Sequence, residues 1–192
     1  MKALVVPLSQ RTRISIIVVA AIAMAWLTWQ MNGAMAPAVD DSEFGIVDFE
    51  LAGTPDQAVE ILDDWGRDGR EGAEQAIKID FAYLVAYSLL LTLACASVAI
   101  ILDERGWVRT ARAGWRLATL SPLAGVLDGV ENIALLRVLG GYESGTVSAS
   151  ATQVANLAAS AKFAIVMVGF AFVIIAVVGL AATRSRILKT RD

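Results

Sequence analysis

Four apolar runs, each long enough to cross a lipid bilayer, constrain this chain more than any other feature. A membrane-spanning helix needs about 20 mainly apolar residues, and the runs cover about 14–34, 79–102, 117–139 and 154–182. Hydrophobic residues make up 57% of the chain and charged residues 18%, which is too apolar for a soluble domain. The sequence therefore predicts an all-α fold, a single membrane domain over 1–192 built as a four-transmembrane-helix bundle.

Lysine and arginine are concentrated in three of the segments that flank these runs. The positions are Lys2, Arg11, Arg13, Arg105, Arg109, Arg112, Arg116, Arg184, Arg186, Lys189 and Arg191. Cytoplasmic flanks carry an excess of these residues, whereas residues 32–78 hold twelve Asp/Glu against three Lys/Arg. The chain is therefore expected to be a multi-pass protein of the inner cell membrane, with both its N- and C-termini in the cytoplasm.

The first run has a second interpretation. A basic start, an apolar stretch and the small residues around Ala34-Met35-Ala36 also describe a cleavable signal peptide. The run extends through Trp26 and Trp29 and follows a basic start of thirteen residues, both long for a signal peptide. These lengths favour a retained membrane anchor.

The extracytoplasmic loop, about 37–78, is expected to contain a short amphipathic helix. Thr54 with Gln57 forms a capping box, and Pro55 suits the first helical position. Apolar residues then recur at helical spacing, at Ala58, Ile61, Leu62 and Trp65. The bundle, the lipid surface or a protein partner is available to cover this face, and a partner would bind through Trp65, Leu62 and Ile61.

Polar residues inside the apolar runs point to a functional site. They are Asp80, Tyr83 and Tyr87 in the second run, Asp128, Glu131 and Asn132 in the third, and Asn156 and Lys162 in the fourth. A charge at the bilayer centre costs at least ~2.5–3.5 kcal/mol, so these groups should face the bundle interior and find partners. Depth along the helices predicts an ion pair between Lys162 and either Asp128 or Glu131.

One carboxylate of that group is left without its own cation. A proton, neighbouring tyrosine and asparagine groups, or a bound cation or amine would balance it. The eight polar residues are therefore predicted to line a ligand-binding pocket in the outer half of the bundle.

Several kinds of chemistry have no signature in the sequence. Histidine, the commonest metal ligand and general base, is absent, and Cys95 is the single cysteine. No nucleotide-binding glycine loop occurs, and a net charge of −3 does not favour nucleic acid. No cofactor is expected, and the sequence leaves the question of a metal open.

Two stretches carry a resemblance to a known kind of protein. Asp80-Phe81 through Tyr87-Ser88 on one helix, with Asp128-Gly129-Val130-Glu131-Asn132 on the next, resembles small four-helix bacterial membrane proteins of unassigned function. The likeness includes the segment Phe49-Glu50-Leu51-Ala52-Gly53-Thr54 and Trp65, and it covers about residues 45–180. It implies the four-helix layout and no particular activity.

Three functions fit these observations. The first is a bundle that binds or transports a cation, an amine or a lipid headgroup in the polar pocket. The second is an accessory or assembly subunit that docks on a membrane-protein partner, or on another copy of itself, through its acidic loop. The third is a lipid-acting enzyme with Asp128 and Glu131 as acid and base. Because no activated nucleophile accompanies these carboxylates, the chain is not expected to be an enzyme.

Overall fold

The chain is described by a computed structural model that covers the backbone of residues 1–39 and 42–189. Side chains are described for 1–36 and 42–183, so the basic residues expected to mark the C-terminal tail lie outside the described side chains. The described residues form helices and no strand. The helices are α1 (Lys2–Val5), α2 (Gln10–Val39), α3 (Ile46–Glu50), α4 (Pro55–Asp64), α5 (Gly66–Glu104), α6 (Val108–Glu143) and α7 (Ala149–Lys189).

The four long helices pack lengthwise, with α5 between α2 and α6, and α7 against α6 and α5. The α6 helix runs antiparallel to its neighbours: Asn132 near its end bonds Asp80 near the start of α5, while Gly114 near its start meets Ala99 and Phe172. A Cβ at Gly114 would lie 2.8 Å from the Phe172 ring and 2.9 Å from the Ala99 Cβ. Glycine at this position therefore lets three helices approach closely.

Three helices are long and apolar enough to cross a membrane: α2 over Gln10–Ala36, α5 over Gly66–Glu104 and α7 over Ala149–Thr183. The α6 helix, which contains the expected third span, is not among them. Its apolar stretch carries Asp128, Glu131 and Asn132, and these residues lower its mean hydropathy. The structure thus supports a helical protein with three clear candidate spans.

The two short helices α3 and α4 cover one end of the bundle, called here the capped end. Half of the predicted capping box of α4 is present: Thr54 Oγ1 accepts a hydrogen bond from the Gln57 amide at 3.3 Å, whereas Gln57 Oε1 accepts from the Gly53 amide at 3.0 Å and not from the Thr54 amide. Helix α4 ends at Asp64, and Gly66, with φ +61°, lies at the turn into α5. A left-handed backbone favours glycine there.

The apolar face of α4 rests on the chain itself. Ile61, Leu62 and Trp65 are buried, in a cluster that also contains Phe49 and Leu135. The face could be covered by the bundle, by the lipid surface or by a protein partner, and in the structure the bundle covers it. A docking role for Trp65, Leu62 and Ile61 requires that these side chains be exposed. In this conformation they are buried and form part of the core of the capped end.

Candidate functional site

A buried ion cluster lies beneath the capped end. Its centre is Lys162 of α7, whose Nζ donates hydrogen bonds to Asp128 Oδ1 at 2.6 Å and to Glu131 Oε1 at 2.8 Å. A third carboxylate, Glu50 Oε2 of α3, is 3.5 Å from the same nitrogen. The side chains of Asp128, Glu131 and Lys162 are 2%, 0% and 8% exposed, so the cluster is shielded from solvent.

The helical repeat explains why two of these carboxylates converge. Asp128 and Glu131 are three residues apart on α6 and thus lie on one face, one turn from each other. Lys162 approaches from α7, which runs antiparallel beside that face. The expected ion pair is therefore present, and the lysine contacts both candidate carboxylates.

A fourth carboxylate, that of Asp80 on α5, is joined to α6 through Asn132, the residue after Glu131. Asn132 donates from Nδ2 to Asp80 Oδ2 at 2.7 Å and so connects α6 to α5. When all are ionised, the carboxylates of Glu50, Asp80, Asp128 and Glu131 contribute four negative charges against the single positive charge of Lys162. These five side chains then carry a formal net charge of −3, which favours binding of a positively charged ligand.

Glu50 is the member of the cluster that the sequence did not identify. It is the last residue of the five-residue helix α3, and its side chain is 16% exposed. Burial raises the pKa of the Glu50 carboxyl above its usual range, while the nearby Lys162 ammonium opposes this rise. The available signal was an acidic residue within the apolar sequence Phe49-Glu50-Leu51-Ala52, which suggests a buried charge.

Helix α3 is held in place on both sides of Glu50. Asn156 Nδ2 of α7 donates to the Leu51 carbonyl oxygen at 2.6 Å. The Phe49 ring packs edge-on against Trp65, with 5.2 Å between ring centroids and 63° between ring planes. Trp65 in turn donates from Nε1 to the Phe44 carbonyl oxygen at 2.9 Å. These contacts fix the backbone that brings Glu50 to Lys162.

A cavity of about 430 Å³ adjoins the cluster, between α2, α3, α5, α6 and α7. Its polar lining consists of Thr28, Asn32, Glu50, Asp80, Tyr83, Tyr87, Asp128 and Lys162, and its apolar lining of Met24, Met31, Ile46, Val47, Phe163, Val166 and Phe170. Tyr87 is 6% exposed, and its hydroxyl lies near Asp128 without a hydrogen-bond partner of normal geometry. The polar part of the lining therefore contains three carboxylates, those of Glu50, Asp80 and Asp128, and one ammonium group, that of Lys162.

The sequence-predicted site residues separate into four groups. Asp128, Lys162, Asp80, Tyr83 and Tyr87 line the cavity, and Glu131 belongs to the ion cluster behind it. Asn132 is buried and donates a hydrogen bond to Asp80. Asn156 is absent from the lining and donates instead to the carbonyl oxygen of Leu51, the residue that follows α3. Sequence reasoning did not identify the contributions of α2 and α3.

Among the residues that the structure describes, no group of three or more His, Cys, Asp or Glu side chains is arranged to hold a metal ion. In the cluster of Glu50, Asp128 and Glu131, the Lys162 ammonium occupies the position between the carboxylates. Comparisons of the chain with protein-family models, with curated proteins and with solved structures find no match.

Proposed function

We propose that this chain is a membrane protein with four crossings, in which α6 is the fourth. The α5 and α7 helices are candidate spans, and α6 runs antiparallel to both, joined to them by short turns. With 36 residues, α6 is roughly 54 Å long at 1.5 Å per residue, more than a bilayer needs. Its buried carboxylates are paired with Lys162 and Asn132, which lowers the cost of placing them among apolar helices.

The proposed orientation places the capped end outside and the α5–α6 turn in the cytoplasm of an inner-membrane protein. The acidic segment 32–78 and the basic link around Arg109 and Arg112 support this assignment through the charge bias of cytoplasmic flanks. With four crossings, both termini then lie in the cytoplasm.

Cysteine labelling tests this orientation. Glu60 and Arg109 are exposed at opposite ends of the chain's long helices, and the native Cys95 is fully buried. In intact cells, Glu60→Cys should react with a membrane-impermeant maleimide, and Arg109→Cys should react only after lysis. The reverse pattern would exclude the proposed orientation.

The function we propose is binding of a positively charged group, a cation or an amine, in the cavity beside Lys162. The observation that carries it is the set of three carboxylates within 3.5 Å of one buried lysine, next to a cavity that a fourth carboxylate, Asp80, also lines. Buried charges that lack partners are costly. A bound ammonium group would supply the missing positive charge, and this group belongs equally to a free amine or to a lipid headgroup.

Thermal unfolding in mild detergent tests this proposal. Propylammonium should raise the melting temperature of the native protein, because a ligand at 100 times its Kd stabilises the folded state by about 2.7 kcal/mol. Asp128→Asn should abolish this increase by removing a charge that lines the cavity. Glu74→Gln, a control at an exposed carboxylate paired with Lys78, should retain it.

Propionate provides the control for charge. An equal increase in melting temperature with this anion, or full retention of the ammonium effect in Asp128→Asn, would contradict the proposed site.

A further inference from the structure

We infer that the occupant of this cavity is an amphiphile, with an ammonium head among Glu50, Asp80 and Asp128 and a hydrocarbon chain that points along α7 and enters between α2 and α7. This inference rests on the proposed function and specifies the class of ligand. It follows from how the lining is distributed and from how the helices that border the cavity pack.

We infer that the cavity opens between α2 and α7, because these two helices border it without packing closely on each other. Both helices line it, yet α5 packs lengthwise along α2 while α2 and α7 make no comparable contact over their described residues. Two lining residues on these helices are exposed: Thr28 on α2, and Phe170 on α7 with 37% of its surface accessible. Because α2 and α7 are both candidate membrane spans, this opening faces the lipid.

The lining changes from charged to apolar along α7. Lys162, Val166 and Phe170 recur at four-residue spacing and thus lie on one face of the helix. From Lys162 to Phe170 the distance along the helix is roughly 12 Å at 1.5 Å per residue. Phe163 extends the apolar side, and its ring centroid is 5.0 Å from Lys162 Nζ.

A small hydrated cation would use the charged end of this cavity and leave the apolar end unoccupied. An ammonium head carrying a hydrocarbon chain matches both ends, with its charge among Glu50, Asp80 and Asp128 and its chain beside Val166 and Phe170. A ligand of this kind is soluble in the bilayer and would reach the site through the opening between α2 and α7.

The test compares propylammonium, octylammonium and octanol as probes on the full chain in detergent. Each buried methylene contributes about 0.8 kcal/mol, or roughly a fourfold gain in affinity. Octylammonium should therefore bind at least tenfold more tightly than propylammonium, and octanol should not compete with either. Val166→Trp, which fills the apolar end, should remove the gain from chain length.

The matched control is Val168→Trp, at a position 57% exposed and outside the lining, which should keep the gain. Equal affinity of the native protein for the two ammonium ions would overturn the inference and leave the proposed function standing. Binding of neither ammonium ion would overturn both. If Val166→Trp does not fold, the comparison of propylammonium with octylammonium on the native protein still tests the inference.

Discussion

Replacing Lys162 with methionine is expected to lower the free energy of unfolding by about 3–5 kcal/mol, because removal of one partner leaves buried charges uncompensated. The lysine is 8% exposed and lies within 3.5 Å of three carboxylates, of which Asp128 and Glu131 are almost fully buried. Unfolding of the purified protein by sodium dodecyl sulfate in mixed micelles measures the change.

The matched control is Lys78→Met on the same chain. Lys78 also pairs with a carboxylate, Glu74, at 2.5 Å, but the two side chains are 61% and 45% exposed. An exposed pair of this kind is worth less than about 1 kcal/mol. If Lys162→Met costs no more than Lys78→Met, the buried cluster stabilises the fold no more than an exposed ion pair does.

Replacing Trp65 with alanine is expected to be nearly as costly, at about 3–5 kcal/mol, the usual range for removal of a buried aromatic side chain. Trp65 is 4% exposed, packs against Phe49 and donates to the Phe44 carbonyl oxygen. Because these contacts hold α3, the variant should also weaken ammonium binding through the loss of Glu50 from the cluster. Unfolding and ligand titration on the same preparation measure both effects.

Two further variants separate packing from surface effects. Trp65→Phe keeps an aromatic ring and loses the indole hydrogen bond, so its cost should be closer to 1–2 kcal/mol. Trp29→Ala, at a position 69% exposed, should change little. Unchanged stability of Trp65→Ala together with loss of a co-purifying protein would instead support the alternative function, docking of an accessory subunit through this face.

The long helices and much of the ion cluster are predictable because both depend on regular spacing. Apolar runs of sufficient length mark α2, α5 and α7. The i, i+3 spacing of Asp128 and Glu131 and the depth of Lys162 place these charges together, as observed. The α6 helix is harder to classify, because the residues that form the cluster make it less apolar.

The rest of the site depends on tertiary packing that leaves little trace in the local sequence. Helix α3 has only five residues and lacks the length for a periodic pattern, so Glu50 reaches Lys162 only through the contacts of Phe49 and Leu51. Asn156 shares a helix with Lys162, but its partner is the Leu51 backbone. The lining residues of α2 carry no charge, and nothing in their sequence distinguishes a cavity from a lipid contact.

Calorimetric titration of the purified chain with propylammonium tests the central claim most directly. We expect saturable binding of one ammonium ion per chain, and at least a tenfold loss of affinity in Asp128→Asn, because Asp128 both pairs with Lys162 and lines the cavity. Absence of saturable binding, or equal affinity of the native protein and Asp128→Asn, would contradict the proposal that the cavity beside Lys162 binds a positively charged group.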